Sequence, residues 1–219
     1  MQTAAALRGF GPLGILAMLL ILVTGNIVLP NMIVLPVGAA LVLLWVRLSA
    51  TPWADVGYAA PRSWLLSAAL GIILGVALKL VMKAVVMPLL GADPVNQAYH
   101  FLAGNRALLP AAIIAMPTVG FSEETVFRGY LFERLERLGV SKPIVVLLTS
   151  AFFGAVHYTG QGWAGVEQAA VVGLVFGAIF ARTRRIFLPM VAHAAFDLTA
   201  LALIYYDVEA NVARLVWKL

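Results

Sequence analysis

The run ALLPAAIIAMPTVGFSEETVFRGYLFERLERLG, residues 107–139, carries no charge over its first fourteen residues. A helix starting there is still inside apolar surroundings when it meets Glu123, Glu124 and, one turn later, Arg128. A buried carboxylate costs several kcal/mol unless it is paired. Arg128 can answer one of the two, and the other must find a partner elsewhere in the fold. The rest of the chain explains the setting. Of its 219 residues, 63% are hydrophobic and 11% charged, whereas a soluble domain is roughly a quarter charged. Too few polar groups exist to cover a water-facing surface, so the sequence predicts an all-α polytopic membrane bundle. The net charge of +5 is spread between apolar runs, a pattern of membrane topology and not of nucleic-acid binding. The absence of cysteine excludes disulfides, thiolate metal sites and a cysteine nucleophile.

A helix of about 20 apolar residues crosses the ~30 Å hydrocarbon layer. That ruler predicts about seven spans, at 10–29, 32–48, 64–90, 107–137, 143–158, 165–182 and 186–206, the fifth being short. The runs are continuously apolar and do not alternate, which argues against a membrane β-barrel. The N-terminal stretch has the look of a signal peptide, but no A-x-A site follows it and further spans do, so it reads as a retained first helix. Residues 1–219 read as a single integral membrane domain without repeats. Arg8, Arg47, Arg62, Arg134, Arg137, Lys142, Arg182, Arg184 and Arg185 all fall on one side of this topology. Only Arg106, Arg214 and Lys218 fall opposite, which puts the N-terminus in the cytoplasm and the C-terminus outside.

Smaller features follow from the same layout. Gly71 and Gly75, and Gly173 and Gly177, are spaced for close helix contact. Lys79 and Lys83 lie on the third span and are expected to snorkel to the outer interface. Leu131, Leu135 and Leu138 give the end of the fourth span an apolar face, expected to lie along the cytoplasmic interface and end at Gly139. Trp53, Trp64, Trp163 and Trp217 fall near span ends, where interfacial Trp belongs.

Ionisable side chains inside a membrane point to function, and here they form a compact set. Glu123, Glu124 and Arg128 sit on the fourth span, Phe153 and His157 on the fifth, His193 and Asp197 on the seventh. Glu124 and Arg128, Phe153 and His157, and His193 and Asp197 are each four residues apart and share a helix face. Three helices can therefore each bring one polar stripe to a common pocket, able to hold a hydrolytic water or a metal ion. Taken singly, each pair also has a structural reading as an ion pair or an interhelical hydrogen bond. Two carboxylates with one local arginine make those readings jointly poor.

These residues resemble the motifs of the CPBP family, also called ABI, which comprises type II CAAX prenyl endopeptidases and bacteriocin-processing intramembrane proteases. EETVFRG matches its Glu-Glu-x-x-x-Arg motif, FGAVH its Phe-x-x-x-His, and HAAFD its His-x-x-x-Asn/Asp, in the family's order across roughly residues 105–206. The last position is Asp197 where the eukaryotic prenyl proteases have Asn. An ionised Asp cannot donate a hydrogen bond, which weighs against an oxyanion-stabilising role there.

The resemblance implies an active site between the fourth, fifth and seventh spans of an intramembrane endopeptidase. Its substrate would be a prenylated or leader-type peptide, or another protein at the bilayer. It implies Glu123 as the general base, with His157 positioning the water, and Glu124 paired with Arg128. His193 and Asp197 would form the opposite wall, and Phe153 would line the substrate side. Two mechanisms stay open under it. One uses a divalent metal such as zinc, held by Glu123, His157, His193 and Asp197; the other is a metal-free glutamate mechanism. From a different class, a non-proteolytic membrane scaffold or immunity protein would keep the same cluster for stability. A proton-coupled transporter would show internal repeats and broken helices in both halves, and the sequence shows neither.

Overall fold

The computed structural model describes residues 2–26 and 34–217. Among them there are helices and no strands. The helices are α1 (Gln2–Arg8), α2 (Pro12–Asn26), α3 (Val34–Leu48), α4 (Trp64–Leu89), α5 (109–137), α6 (Lys142–Val156), α7 (Tyr158–Thr183), α8 (Phe187–Tyr205) and a short α9 (Glu209–Ala213). Helices α2 to α8 fall on the seven predicted segments. The end of the first segment, the start of the second and Lys218 lie outside the described residues.

Local chemistry sets the ends. The Ser63 hydroxyl accepts from the Leu66 N–H at the start of α4 (3.2 Å). Pro110 and Pro143 occupy first-turn positions of α5 and α6, where a missing N–H costs nothing. Gly139, at φ +81°, closes α5 in the left-handed region that favours glycine.

Three of these helices are long and apolar enough to cross a membrane: Trp64–Leu89, Tyr158–Thr183 and Phe187–Tyr205. The bent pair Gln2–Arg8 and Pro12–Thr24, at 55° to one another, makes a fourth if it is one span. Helix α6 has 15 residues and reaches about 22 Å at 1.5 Å per residue, short of the hydrocarbon thickness. The outward surface is that of an integral membrane protein. Leu65, Ile73 and Ile114 are among many large apolar side chains left exposed, while Arg128, Arg134 and Glu124 are fully buried.

Helix α8 packs most extensively on α4 and then on α5, α6 forms a hairpin with α7, and α2 pairs with α3. The two small-residue pairs lie in these seams. A Cβ at Gly75 would strike the Ala192 carbonyl and the Ala195 methyl, and one at Gly71 would press on Val191. Gly173 lies against Ser150 and Gly177 against Val146.

Helix α5 is the hub, and every residue from Ser122 to Arg134 is buried. Beyond its polar stripe, the rest of this segment meets neighbouring helices and loops on all sides. Two causes are visible. Residues Thr125–Leu131 form a π-helical stretch, whose wider turns re-phase the helix. Partners also arrive from every side. Tyr130 meets the Trp45 ring edge-on at 4.8 Å, Gly129 faces Val56, and Tyr58 donates to the Thr125 hydroxyl (2.7 Å), which itself donates to Phe121 O. Burial holds the Tyr58 phenol above its ordinary pKa, so it remains a donor.

Of the three leucines spaced for one apolar face at the end of α5, Leu131 is buried and Leu135 packs against the core. Leu138 is exposed, and Glu133 and Arg134 turn inward. Arg134 donates to Arg8 O (2.8 Å) and Gly9 O (3.0 Å) and stacks on Phe10 and Trp45. Arg8 in turn donates to Ala50 O, and Arg184 bonds Asp55 O and Glu136. The loops carrying the predicted positive side thus meet at one end of the bundle. At the other end Gly104 N–H donates to Tyr205 O and Asn96 N–H to Glu209. Trp53, Trp64, Trp163 and Trp217 are exposed; Trp45 is buried and donates to Leu7 O.

Candidate active site

Glu123 and Glu124 are adjacent, yet they do different things. Glu124 is fully buried behind the cavity wall, and its Oε1 accepts from Arg128 Nη1 at 2.9 Å and from His193 Nδ1 at 2.9 Å. Arg128 is fixed further by a bond to Gly173 O (3.3 Å) and by the faces of Phe153 and Phe176, 4.7 and 5.9 Å from its guanidinium carbon. A single carboxylate therefore ties α5 to α8, and through Arg128 to α7.

Glu123 instead faces a cavity of about 470 Å³. His157, His193, Asp197, Phe153 and Lys79 line the same cavity, so side chains from α4, α5, α8 and the α6–α7 junction reach one space. Glu123 Oε2 lies 3.5 Å from His193 Nε2, and Asp197 Oδ2 lies 3.7 Å from that same nitrogen. Both distances exceed a good hydrogen bond but leave three carboxylates around one imidazole.

Hydrogen bonding assigns the protons. His157 Nδ1 is 2.7 Å from Phe153 O, a pure acceptor, so Nδ1 carries hydrogen and Nε2 is left for the cavity. By the same reasoning His193 Nδ1–H donates to Glu124 and turns Nε2 toward Glu123 and Asp197. The Phe153 ring stands between the imidazoles, edge-on to both, at 4.6 Å from His157 and 5.9 Å from His193. It also packs edge-on against Phe127 at 4.9 Å. Its visible work is to space these groups.

The residues from 91 to 108 roof the cavity with Asn96, Tyr99, Phe101 and Leu102. Burial first, and then the Asp197 and Glu123 carboxylates, raise the Tyr99 phenol above its ordinary pKa; it is hydrogen-bonded to Gln161. Gly162, at φ +63° and ψ −158°, breaks α7 just past this point.

Among the described residues, no three His, Asp or Glu side chains are grouped so as to hold a metal ion. Glu124 already serves Arg128 and His193, and one nitrogen of each imidazole is taken by a protein acceptor. The four residues named as ligands share the cavity without converging on one point.

Two features were missed in the sequence. One is the hydrogen bond of His193 Nδ1 to Glu124, which crosses helices and which no spacing announces. Lys79 and Lys83 do not snorkel outward and are buried. Lys83 pairs with Glu209 at 2.8 Å, whose other oxygen accepts from Asn96 N–H (3.2 Å). The second π-helical stretch of the fold, Met82–Val86, contains Lys83.

Residues 105–199 match the profile of a family described as "Type II CAAX prenyl endopeptidase Rce1-like". That range holds Glu123, Glu124, Arg128, Phe153, His157, His193 and Asp197; Lys79, Lys83 and Glu209 lie outside it. A curated relative from Bacillus subtilis (strain 168), described as "Uncharacterized protein YyaK", is 33% identical over 94 residues. The match covers 40% of this chain and 31% of the relative, so less than a third of that protein's length is represented. No solved structure matches the chain.

Proposed function

Since the chain belongs, through residues 105–199, to the type II CAAX prenyl endopeptidase Rce1-like family, we propose that it is an intramembrane endopeptidase with Glu123 as its general base. The observation that carries this reading is the asymmetry of the Glu-Glu pair. Glu124 is buried behind the wall with its Oε1 bonded to both Arg128 and His193, while Glu123 faces the cavity without a hydrogen bond to a described residue.

In this reading a water in the cavity gives one proton to Glu123 and hydrogen-bonds through its other to His157 Nε2. The oxygen adds to the scissile carbonyl carbon and forms a tetrahedral oxyanion. His193, donating from Nδ1 to Glu124, offers its other N–H to that oxyanion. Glu123 then passes its proton to the departing amine nitrogen as the C–N bond breaks, and the carboxyl product leaves. Asp197 holds the His193 ring from the cavity side. Since the candidate ligands do not converge, no step is routed through a metal.

The substrate class we favour is a membrane-associated peptide segment, prenylated or leader-type. We read α2 to α8 as seven spans, with the short α6 in a locally thinned or tilted arrangement, and the arginine-rich end in the cytoplasm. Purified Glu123→Gln, His157→Ala and His193→Ala proteins should keep their helical spectrum and lose cleavage of a membrane-inserted peptide library. Retained cleavage in all three would overturn the reading.

A further inference from the structure

Lys79 is 4% exposed, lines the same cavity as Glu123, and makes a single hydrogen bond, to Gln168 Oε1 at 3.0 Å. Its ammonium also lies 4.8 Å from the centre of the Phe196 ring. An ammonium has three N–H donors, so two are unspent. Lys83, one turn along the same helix, shows the usual solution for a buried cation, a carboxylate at 2.8 Å. Lys79 forms no such pair with any described residue.

Its position is fixed by a close helix seam. Gly75 lets α4 touch α8 at Ala192 and Ala195, and Lys79, one turn further, therefore sits over Phe196, the neighbour of Asp197. Most of the remaining wall is apolar, including Leu102, Ala112, Met116, Val172 and Leu201. An unpaired cation in such a wall is costly in the absence of an anion, and at about 470 Å³ the cavity suits a short peptide segment.

We infer that Lys79 is a specificity-determining residue that binds a carboxylate of the peptide substrate a few residues from the scissile bond. The carboxylate is either the free C-terminus of the peptide or an acidic side chain. A carboxylate there takes up the two free donors and replaces water that the apolar wall holds poorly. The inference rests on the proteolytic reading for the fate of the bound segment, but binding can be tested without turnover.

The experiment uses the full chain in lipid nanodiscs with Glu123→Gln to prevent cleavage. Three probes are titrated by tryptophan fluorescence: N-acetyl-Val-Leu-Ile-Ala as the free acid, the same peptide as its amide, and the amide with Glu in place of Leu. A charge-assisted hydrogen bond in a buried site predicts that at least one carboxylate probe binds about 10- to 100-fold tighter than the neutral amide. Whichever probe that is names the source of the carboxylate. Adding Lys79→Met should abolish the ratio, and Lys79→Arg should retain part of it. Equal binding of all three probes, no binding of any, or an unchanged ratio in the Lys79→Met protein would each overturn the assignment. Should Lys79→Met not fold, loss of the ratio in Gln168→Leu, which unseats the ammonium, supports the inference and its persistence refutes it. Selective binding by a protein whose Glu123 form cleaves nothing would leave the anchor standing and remove the protease.

Discussion

Exchanging each carboxylate of the Glu-Glu pair for its amide separates base from scaffold. In Glu123→Gln the side chain keeps its shape and loses no hydrogen bond to a described residue; His193 Nε2 is 3.5 Å away. One of three carboxylates around His193 disappears, and the expected stability change is within about 1 kcal/mol. In Glu124→Gln the counter-ion of Arg128 is lost from a site where that guanidinium is 1% exposed. Breaking a buried ion pair by neutralising one member costs about 3–5 kcal/mol. Activity should order the other way. Removing a general base lowers turnover by about 10²–10⁴-fold, whereas loosening the group that orients His193 lowers it by about 10–100-fold. The measurements are unfolding by SDS titration in mixed micelles, and initial rates of cleavage in nanodiscs for whatever fraction stays folded. A Glu124→Gln protein as stable as its parent but more impaired in turnover than Glu123→Gln would move the base to Glu124 and refute the division of roles.

Other consequences are simpler. Gly75→Val should lower the unfolding midpoint sharply because its Cβ meets the Ala192 carbonyl, while Gly160→Ala, with open space around it, should be tolerated. Lys83→Met and Glu209→Gln should each cost about 3–5 kcal/mol, and the double replacement Lys83→Met/Glu209→Leu much less, as judged by a double-mutant cycle in SDS. Because the candidate ligands are not grouped on one point, cleavage should survive exhaustive chelation in a preparation shown metal-free by elemental analysis; loss of cleavage restored by zinc would contradict the metal-free mechanism written above.

Helix positions were legible in the sequence because apolar run length is a direct reading of the surrounding solvent. So were the small-residue seams: Gly71 and Gly75 meet α8, and Gly173 and Gly177 meet α6. Pairing inside the cluster was only half legible. Glu124–Arg128 is an i,i+4 contact and shows in spacing, whereas Glu124–His193 joins positions 69 residues apart and shows only when α5 and α8 pack. The lysines were misread for a related reason. Their stems could reach an interface, and nothing local to residues 79–83 reveals that Gln168 and Glu209 are waiting inside. The i,i+4 rule also presumes a uniform α-helix, and both polar helices break that presumption with π-helical stretches at 82–86 and 125–131.

Those stretches bear on how the bundle tolerates its charges. A π-turn widens the helix and shifts the phase of the residues beyond it, so a helix entering with one inward face can leave with another. In helix α5 everything from Ser122 to Arg134 is buried: Glu123 faces the cavity ahead of the π-helical stretch, while Arg128 within it reaches Phe153 and Gly173, and Arg134 beyond it reaches the carbonyls of Arg8 and Gly9. In a regular α-helix with only one buried face, some of these groups would turn outward into hydrocarbon, where a charge is expensive. Helix α4 carries its own π-helical stretch just past Lys79, and Lys79 and Lys83, four residues apart, both point inward although only Lys83 has a carboxylate to meet. The fold therefore accommodates one more buried cation than its described carboxylates pair, and that surplus faces the same cavity as Glu123.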